Sequence, residues 1–168
     1  MAGKQINSQG EAQLVAEWAA TLPAAWKWKM RVNVGAQQLQ YGGIPLTPKQ
    51  QMAFGVWNDW ADLRVATPTE VWIVEGKLVA TGNAYGQVLD YVAQYPDSSD
   101  YQQFAPLPIV PVVLTMAARK RTSAMFANLG VRTILFQPSF PFSRALQKLF
   151  PAAQILNPET ASIVASAV

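Results

Sequence analysis

The segment Trp60–Ala80, WADLRVATPTEVWIVEGKLVA, decides the fold. Two runs rich in β-branched and aromatic residues flank the turn signal TPT, which predicts antiparallel strands over residues 60–66 and 70–79. Alternate side chains of a strand point to the same face, so Glu75 and Lys77 lie side by side, away from the apolar face. Charged side chains within an apolar strand cost free energy unless they are paired or bind a ligand. This pair therefore marks a candidate site.

The rest of the chain predicts an α/β fold with a mixed central β-sheet flanked by α-helices. We expect residues 1–136 to form this domain and residues 137–168 to be a C-terminal extension that packs on the core or on a partner. The further predicted elements in the first half are a helix opened by a capping box at Ser8–Glu11 and ended by Pro23, a strand over 26–34, a loop or loose hairpin over 35–46 and a short helix from Thr47. Those in the second half are a helix capped by Gly82 or Asn83 that runs to about Gln94, a loop over 97–108, a strand over 109–115, a helix over 122–129 closed by Gly130, a strand over 131–136 and a helix over 143–150.

Strict alternation also predicts the faces of two strands. In the strand over 26–34, residues Trp26, Trp28, Met30, Val32 and Val34 share one face. In the strand over 60–66, Asp62 shares a face with Trp60 and Arg64, opposite Ala61, Leu63 and Val65.

The composition limits the chemistry that the chain can perform. It has no cysteine and no histidine, which excludes disulfides, thiol catalysis, the usual structural zinc sites and histidine-based triads. Any metal would be one that prefers oxygen ligands, such as Mg²⁺ or Mn²⁺. Charged residues make up only 14% of the chain and the net charge is +3, which favours a polyanionic partner without requiring one. We expect no membrane span, and a location in the cytoplasm or in a virus particle assembled there.

Two carboxylates converge if the strands of Trp60–Ala80 pair across their turn. Asp62 and Glu75 then lie close together, and two carboxylates at short distance repel each other unless a cation lies between them. A divalent metal ion would relieve this repulsion and lower the pKa of a bound water, which becomes a nucleophile for phosphodiester cleavage. Lys77 would orient that water or stabilise the charge that develops on the phosphate.

These residues resemble the motif of the PD-(D/E)XK nuclease superfamily. In that family the aspartate begins the second strand of a three-stranded meander and Glu-x-Lys lies on the third, which Asp62 and Glu75-Gly76-Lys77 match. Gln87 and Tyr91 match the Gln-x-x-x-Tyr helix motif of the branch that contains bacterial recombination exonucleases. The resemblance implies a restriction-endonuclease-like core and a metal-dependent deoxyribonuclease in which all five matched side chains are catalytic.

The resemblance also implies a ligand set for Mg²⁺ or Mn²⁺. It consists of Asp62, Glu75 and the backbone carbonyl of Gly76, so the absence of a side chain at that position is acceptable. Many members add a glutamate from the first helix, for which Glu11 is the candidate because it lies on the apolar stripe of that helix. The proline of the family name is missing, since Ala61 precedes the aspartate.

Basic and aromatic residues outside the motif offer further contacts with DNA. Arg119, Lys120 and Arg121 either bind backbone phosphates near the site or form a solvated basic loop. The basic residues of the strand over 26–34 allow the same two interpretations. The tryptophans at positions 57 and 60 either pack or stack on bases.

Each motif residue has a simpler alternative. Glu75 with Lys77, and Asp62 with Arg64, would then be surface ion pairs, while Glu11 would only close the capping box. Gln87 and Tyr91 would be an ordinary helix flank.

Two other functions also remain open for the whole protein. One is a structural or adaptor protein, for instance of a phage particle, that retains the nuclease scaffold and binds a protein partner or a second copy of itself through residues 137–168. The other is a nucleic-acid-binding module without catalysis.

Overall fold

The fold is an α/β arrangement in which a five-stranded mixed sheet is flanked by helices, which confirms the predicted class. The computed structural model describes residues 2–35, 40–41, 44–45 and 59–139, and only the backbone of residues 2–8, 40–41 and 44–45. The predicted helices from Thr47 and over 143–150, most of the loop over 35–46 and nearly all of the C-terminal extension lie outside the described residues. The elements are α1 (Ala2–Ala20), β1 (Lys27–Asn33), β2 (Gln40–Tyr41), β3 (Ile44–Pro45), β4 (Trp60–Ala66), β5 (Val71–Ala80), α2 (Gly82–Gln94), β6 (Ile109–Ala118), α3 (Lys120–Ala127) and β7 (Arg132–Leu135), with 3₁₀ turns at Tyr95–Asp97 and Tyr101–Gln103.

The sheet has the strand order β1-β4-β5-β6-β7, and its two halves differ in direction. Strands β1, β4 and β5 pair antiparallel, and only β4 and β5 are joined by a short turn. Strands β5, β6 and β7 pair parallel, because α2 and α3 carry the chain back to the starting edge before each new strand. The short strands β2 and β3 pair with each other in a separate two-stranded sheet. The antiparallel pairing predicted across the TPT turn is confirmed.

Apolar side chains cover both faces of β5, which therefore lies between two hydrophobic clusters. On one face α1 contributes Leu14, Val15 and Trp18, which pack with Val74 and Leu78. The opposite cluster, built around α2, contains Tyr85, Val88 and Tyr91 together with Ile73 and Val113. The predicted division of β5 into two faces is correct, and its second half holds the charged pair between the two helical layers.

The predicted alternation of β1 and β4 is wrong at one point. Met30 packs in the cluster of α1, whereas Val32 and Val34 pack in the cluster of α2. The change occurs at Arg31, whose backbone has a positive φ of 50°, so the side chains before and after it point to different layers. The neighbouring strand changes with it, since Ala61 lies in the cluster of α2 and not with Leu63 and Val65.

Three predicted helix starts are also wrong. Helix α1 begins at Ala2, so Ser8 is not its N-cap and no capping box exists at Ser8–Glu11. The residues before Ser8 contain no proline, and the helix extends through them. Helix α3 begins at Lys120, with Arg119 in the N-cap position, and not at residue 122. Helix α2 begins at Gly82, so its N-cap residue is Thr81 and not Gly82 or Asn83.

Within the described part of the chain, no helix is both long and apolar enough to cross a membrane.

Candidate active site

The candidate site lies where β4 and β5 separate. Their backbone pairing ends at Leu63 and Val74; beyond that point β4 continues beside β1 and β5 beside β6. The carboxylate of Asp62 occupies the place that a pairing strand would have, because its Oδ2 accepts a hydrogen bond of 2.9 Å from the backbone N–H of Gly76. The two strands thus form a fork with Asp62 on one arm and Glu75 on the other.

Lys77 joins two carboxylates at this fork. Its Nζ lies 2.6 Å from Glu75 Oε1 and 3.3 Å from Glu11 Oε2, so strand β5 and helix α1 meet in one charged cluster. Glu75 is only 2% exposed. The surface-pair alternative for Glu75 and Lys77 is therefore wrong. The alternative that Glu11 only closes a capping box is also wrong, because Glu11 lies inside α1 and pairs with Lys77.

The cluster carries more negative charge than one ammonium group offsets. Burial and the charge of Asp62 raise the pKa of Glu75 to about 7, against the opposing effect of Lys77. Burial also raises the pKa of Asp62, although the Gly76 N–H opposes it, and burial raises the pKa of Glu11. Several carboxyl groups with raised pKa values in one place are typical of a site that receives a cation or moves a proton.

The lysine remains charged in this environment. Burial lowers the pKa of Lys77, but its hydrogen bond to Glu75 and the charges of both glutamates outweigh burial and raise the pKa to about 12. Near neutral pH the group is therefore an ammonium ion, which can donate hydrogen bonds but cannot accept a proton.

Helix α2 brings its motif residues to the same cluster. The side-chain amide of Gln87 donates a hydrogen bond to the hydroxyl of Tyr91, one turn later on the helix. Burial and then the negative charge of Glu75 raise the pKa of Tyr91 to about 12, and Asp62 adds to the effect. Tyr91 therefore lies within electrostatic range of both carboxylates, which an ordinary helix flank would not require.

Gly76 allows α1 to pack directly on the backbone of β5. A Cβ atom at this position would lie closer than 3.0 Å to Val15 Cγ2 and at 3.4 Å from Asp62 Oδ2. The backbone oxygen of Glu11 would be 3.6 Å away. Glycine at position 76 is thus a packing requirement, and the close approach sets the distance from which Glu11 reaches Lys77.

The basic residues after β6 are not part of this cluster. Arg119, Lys120 and Arg121 are exposed at the start of α3, and no ion pair among the described residues includes them. Their predicted contact with DNA stays a prediction.

Arg64 also takes a different partner from the one that its spacing suggested. Its Nε lies 3.0 Å from Asp100 Oδ2, and the hydroxyl of Tyr95 donates a 2.7 Å hydrogen bond to the same oxygen. The alternative that paired Asp62 with Arg64 is therefore wrong. Sequence reasoning missed this buried network, because Asp100 stands in a loop and nothing near it in the sequence indicates its partner.

The donor atoms of the fork suit a hard divalent cation. Among the described residues, no group of three or more acidic, histidine or cysteine side chains is arranged to hold a metal ion. The available donors are the carboxylates of Asp62 and Glu75 and the carbonyl of Gly76. Mg²⁺ suits such a set, because it binds through one or two carboxylates and retains several waters.

Comparison of the chain with family models, with curated proteins and with solved structures gives no match.

Proposed function

We propose that the protein is a metal-dependent deoxyribonuclease built on a restriction-endonuclease-like core. The observation that carries the proposal is the meeting of Asp62, Glu75 and Lys77 at the fork between β4 and β5. Glu75 is nearly inaccessible, yet its carboxyl group lies beside another carboxyl group whose pKa is also raised. In a purely structural cluster this repulsion only destabilises the fold, whereas in a cation site the two neighbouring carboxylates attract the ion.

In this proposal the carboxylates of Asp62 and Glu75 hold Mg²⁺ or Mn²⁺, with the Gly76 carbonyl as a third donor. The bound ion would supply a water of lowered pKa and positive charge next to the scissile phosphate. Because Glu75 has a pKa of about 7 in the metal-free protein, cation binding at neutral pH is coupled to proton release.

Lys77 acts as a charged hydrogen-bond donor. Since its pKa of about 12 excludes a role as general base at neutral pH, it donates to a phosphate oxygen and stabilises the charge that develops there. Tyr91, oriented by Gln87, donates a second hydrogen bond from the α2 side. Glu11 positions Lys77 when no substrate is bound.

A structural or adaptor role is the second candidate, and one observation favours it. Lys77 already pairs with both Glu75 and Glu11, so the buried charge has a partner without any metal ion. This role requires no catalysis, and it predicts that the scaffold is retained for contacts with another chain.

Cleavage assays separate the two candidates. The full chain is incubated with circular, linear, single-stranded and branched DNA in Mg²⁺ or Mn²⁺, beside Lys77→Ala. The matched control is Lys29→Ala, which removes a lysine from the same sheet whose Nζ lies 3.4 Å from Asp100. We expect Lys77→Ala to lose about 100-fold in rate or more and Lys29→Ala to retain activity. Failure to cut any of these substrates would overturn the nuclease proposal.

A further inference from the structure

Arg31 has a backbone conformation that only glycine adopts without strain. Its φ of 50° lies in the left-handed region, although Met30 and Val32 on either side pair regularly with β4. Strained backbone in an otherwise regular strand is found preferentially at functional sites, where the surrounding structure enforces it. The strain here lies at an exposed arginine, where β1 passes from one hydrophobic cluster to the other.

The strand register places Arg31 beside the candidate active site. Because Met30 lies opposite Leu63 and Val32 opposite Ala61, Arg31 lies opposite Asp62. Its guanidinium carbon is 5.9 Å from the ring centroid of Trp60, two residues before that aspartate. The indole of Trp60 is 43% exposed, so an aromatic face and a cation stand at the edge of the fork.

This arginine differs from the other two that lie over aromatic rings in the described residues. Arg64, over Phe104, is buried and forms an ion pair with Asp100. Arg132, over Trp72, is paired with Glu70 at 2.9 Å. No ion pair among the described residues includes Arg31. Burial raises the pKa of Asp62 and the charge of Arg31 opposes this effect, while the exposed side chain of Arg31 is also able to bind an anion from outside the protein.

We propose that Trp60 and Arg31 form a binding site for an unpaired nucleotide next to the carboxylates. The indole stacks on the base, and the guanidinium binds the adjoining phosphate. A base within an intact duplex has no free face, so the site requires a strand that is single, frayed or branched. The inference rests on the proposed nuclease function and names its substrate class, a nucleic acid with at least one unstacked base.

Binding without cleavage tests this site independently of catalysis. The full chain is titrated in EDTA against a fluorescein-labelled oligothymidylate, the same oligonucleotide with abasic residues at its centre, and a blunt duplex, with anisotropy as the readout. The variants are Trp60→Ala and Trp60→Phe. Trp28→Ala is the matched control, since Trp28 is 46% exposed on the neighbouring strand β1 and no arginine among the described residues stacks on it.

We expect Trp60→Ala to weaken binding of the oligothymidylate about tenfold, the effect of losing one stacked base. Trp60→Phe retains most of the affinity and Trp28→Ala retains all of it. The abasic oligonucleotide, which has phosphates but no base to stack, binds the wild-type protein and Trp60→Ala equally. Arg31→Gln lowers the dependence of log K on log salt by about 0.7, the value for one phosphate contact with a single strand.

Equal affinities of Trp60→Ala and Trp28→Ala for the oligothymidylate would overturn the inference, as would an equal loss for the duplex. Near-ultraviolet circular dichroism verifies the fold of each variant. If Trp60→Ala does not fold, the affinity of Trp60→Phe and the salt dependence of binding by Arg31→Gln test the inference. A protein that cuts DNA but ignores Trp60 refutes only this inference. A protein that binds through Trp60 but never cuts refutes only the nuclease proposal.

Discussion

Replacing Gly76 by alanine tests how α1 and β5 fit together at the site. The added Cβ would lie closer than 3.0 Å to Val15 Cγ2. Val15 is fully buried, and a β-branched side chain in a helix has one strongly preferred χ1 rotamer, so it cannot rotate away. The helix must instead move by about 1 Å, a shift that also stretches the contact between Glu11 and Lys77.

We expect Gly76→Ala to destabilise the protein by about 1–3 kcal/mol, the usual cost of overpacking a core. Val15→Ala removes two methyl groups, which costs about 1.6 kcal/mol of transfer free energy before the cavity is counted. The double variant removes the clash, because the methyl group that collides is gone. Its destabilisation should therefore fall short of the sum of the single effects by about 1 kcal/mol or more.

Urea denaturation of the metal-free protein, followed by tryptophan fluorescence, measures the stability of the wild type, the two single variants and the double variant, which together form a double-mutant cycle. A loss of 1 kcal/mol corresponds to about 3 °C in Tm for a chain of this size, so thermal melts provide a second readout. Additive effects of the two substitutions would refute the close packing of α1 on the backbone of β5. Full stability of Gly76→Ala alone would refute it as well.

Three further predictions concern strain and titration. Arg31→Gly should be more stable than Arg31→Ala by about 1 kcal/mol, since glycine alone accepts the positive φ without strain; urea denaturation compares the two. Asp100→Asn should lower the free energy of unfolding by about 3 kcal/mol at pH 7, because it leaves the buried Arg64 without its ion-pair partner. Burial raises the pKa of Asp100, but its hydrogen bonds with Arg64 and Tyr95 outweigh burial and lower it, so this loss should shrink as the pH falls below 3.8. In EDTA, Glu75→Gln should become more stable than the wild type as the pH rises from 4.5 to 8, by up to about 3 kcal/mol. The reason is that the pKa of Glu75 is raised to about 7, so its ionisation destabilises the metal-free fold. Thermal melts across this pH range test the prediction.

The opposite results would contradict each explanation. Equal stability of the two Arg31 variants would remove the argument for backbone strain. A loss in Asp100→Asn that does not depend on pH would mean that its charge contributes nothing. A stability difference between Glu75→Gln and the wild type that stays constant across pH would mean that Glu75 titrates normally.

Patterns within one element predicted most of the fold. The strands over 60–66 and 70–79 follow from β-branched residues around a turn signal, and α2 from its apolar stripe and the proline after it. These signals are local, so they are readable without the tertiary structure. The predicted start of α1 at Ser8 is wrong because a capping box describes a favourable helix start, but it does not prevent the helix from extending further toward the N-terminus.

The reversal of faces at Arg31 was not predictable from the sequence. Alternation of apolar and polar residues continues through positions 30–34 without interruption, and arginine is not a residue that indicates a positive φ. Only the clusters on each side of the sheet, with Met30 in one and Val32 in the other, reveal the change. The network of Arg64, Asp100 and Tyr95 was missed for a similar reason, since its ion pair joins residues 36 positions apart.

The sequence predicts which residues form the candidate site, but not how deeply they are buried or how their charges are paired. The spacing of Glu75 and Lys77 placed them on one strand face, and the four-residue spacing of Gln87 and Tyr91 placed them on one helix face. No local pattern indicates that Glu75 is nearly inaccessible or that Glu11 reaches Lys77. The contact of Glu11 with Lys77 depends on the close packing of α1 on β5, whereas Glu75 lies on the strand face of Ile73, which belongs to the cluster of α2.

Calorimetric titration of the full chain with Mn²⁺ at pH 8 tests most directly whether Asp62 and Glu75 share a divalent cation. We predict saturable binding to the wild-type protein, and its loss in Asp62→Asn. The control Asp90→Asn changes an exposed carboxylate on α2 and should bind as the wild type does. Absence of binding to the wild-type protein, or binding that survives in Asp62→Asn, would contradict the proposed metal site.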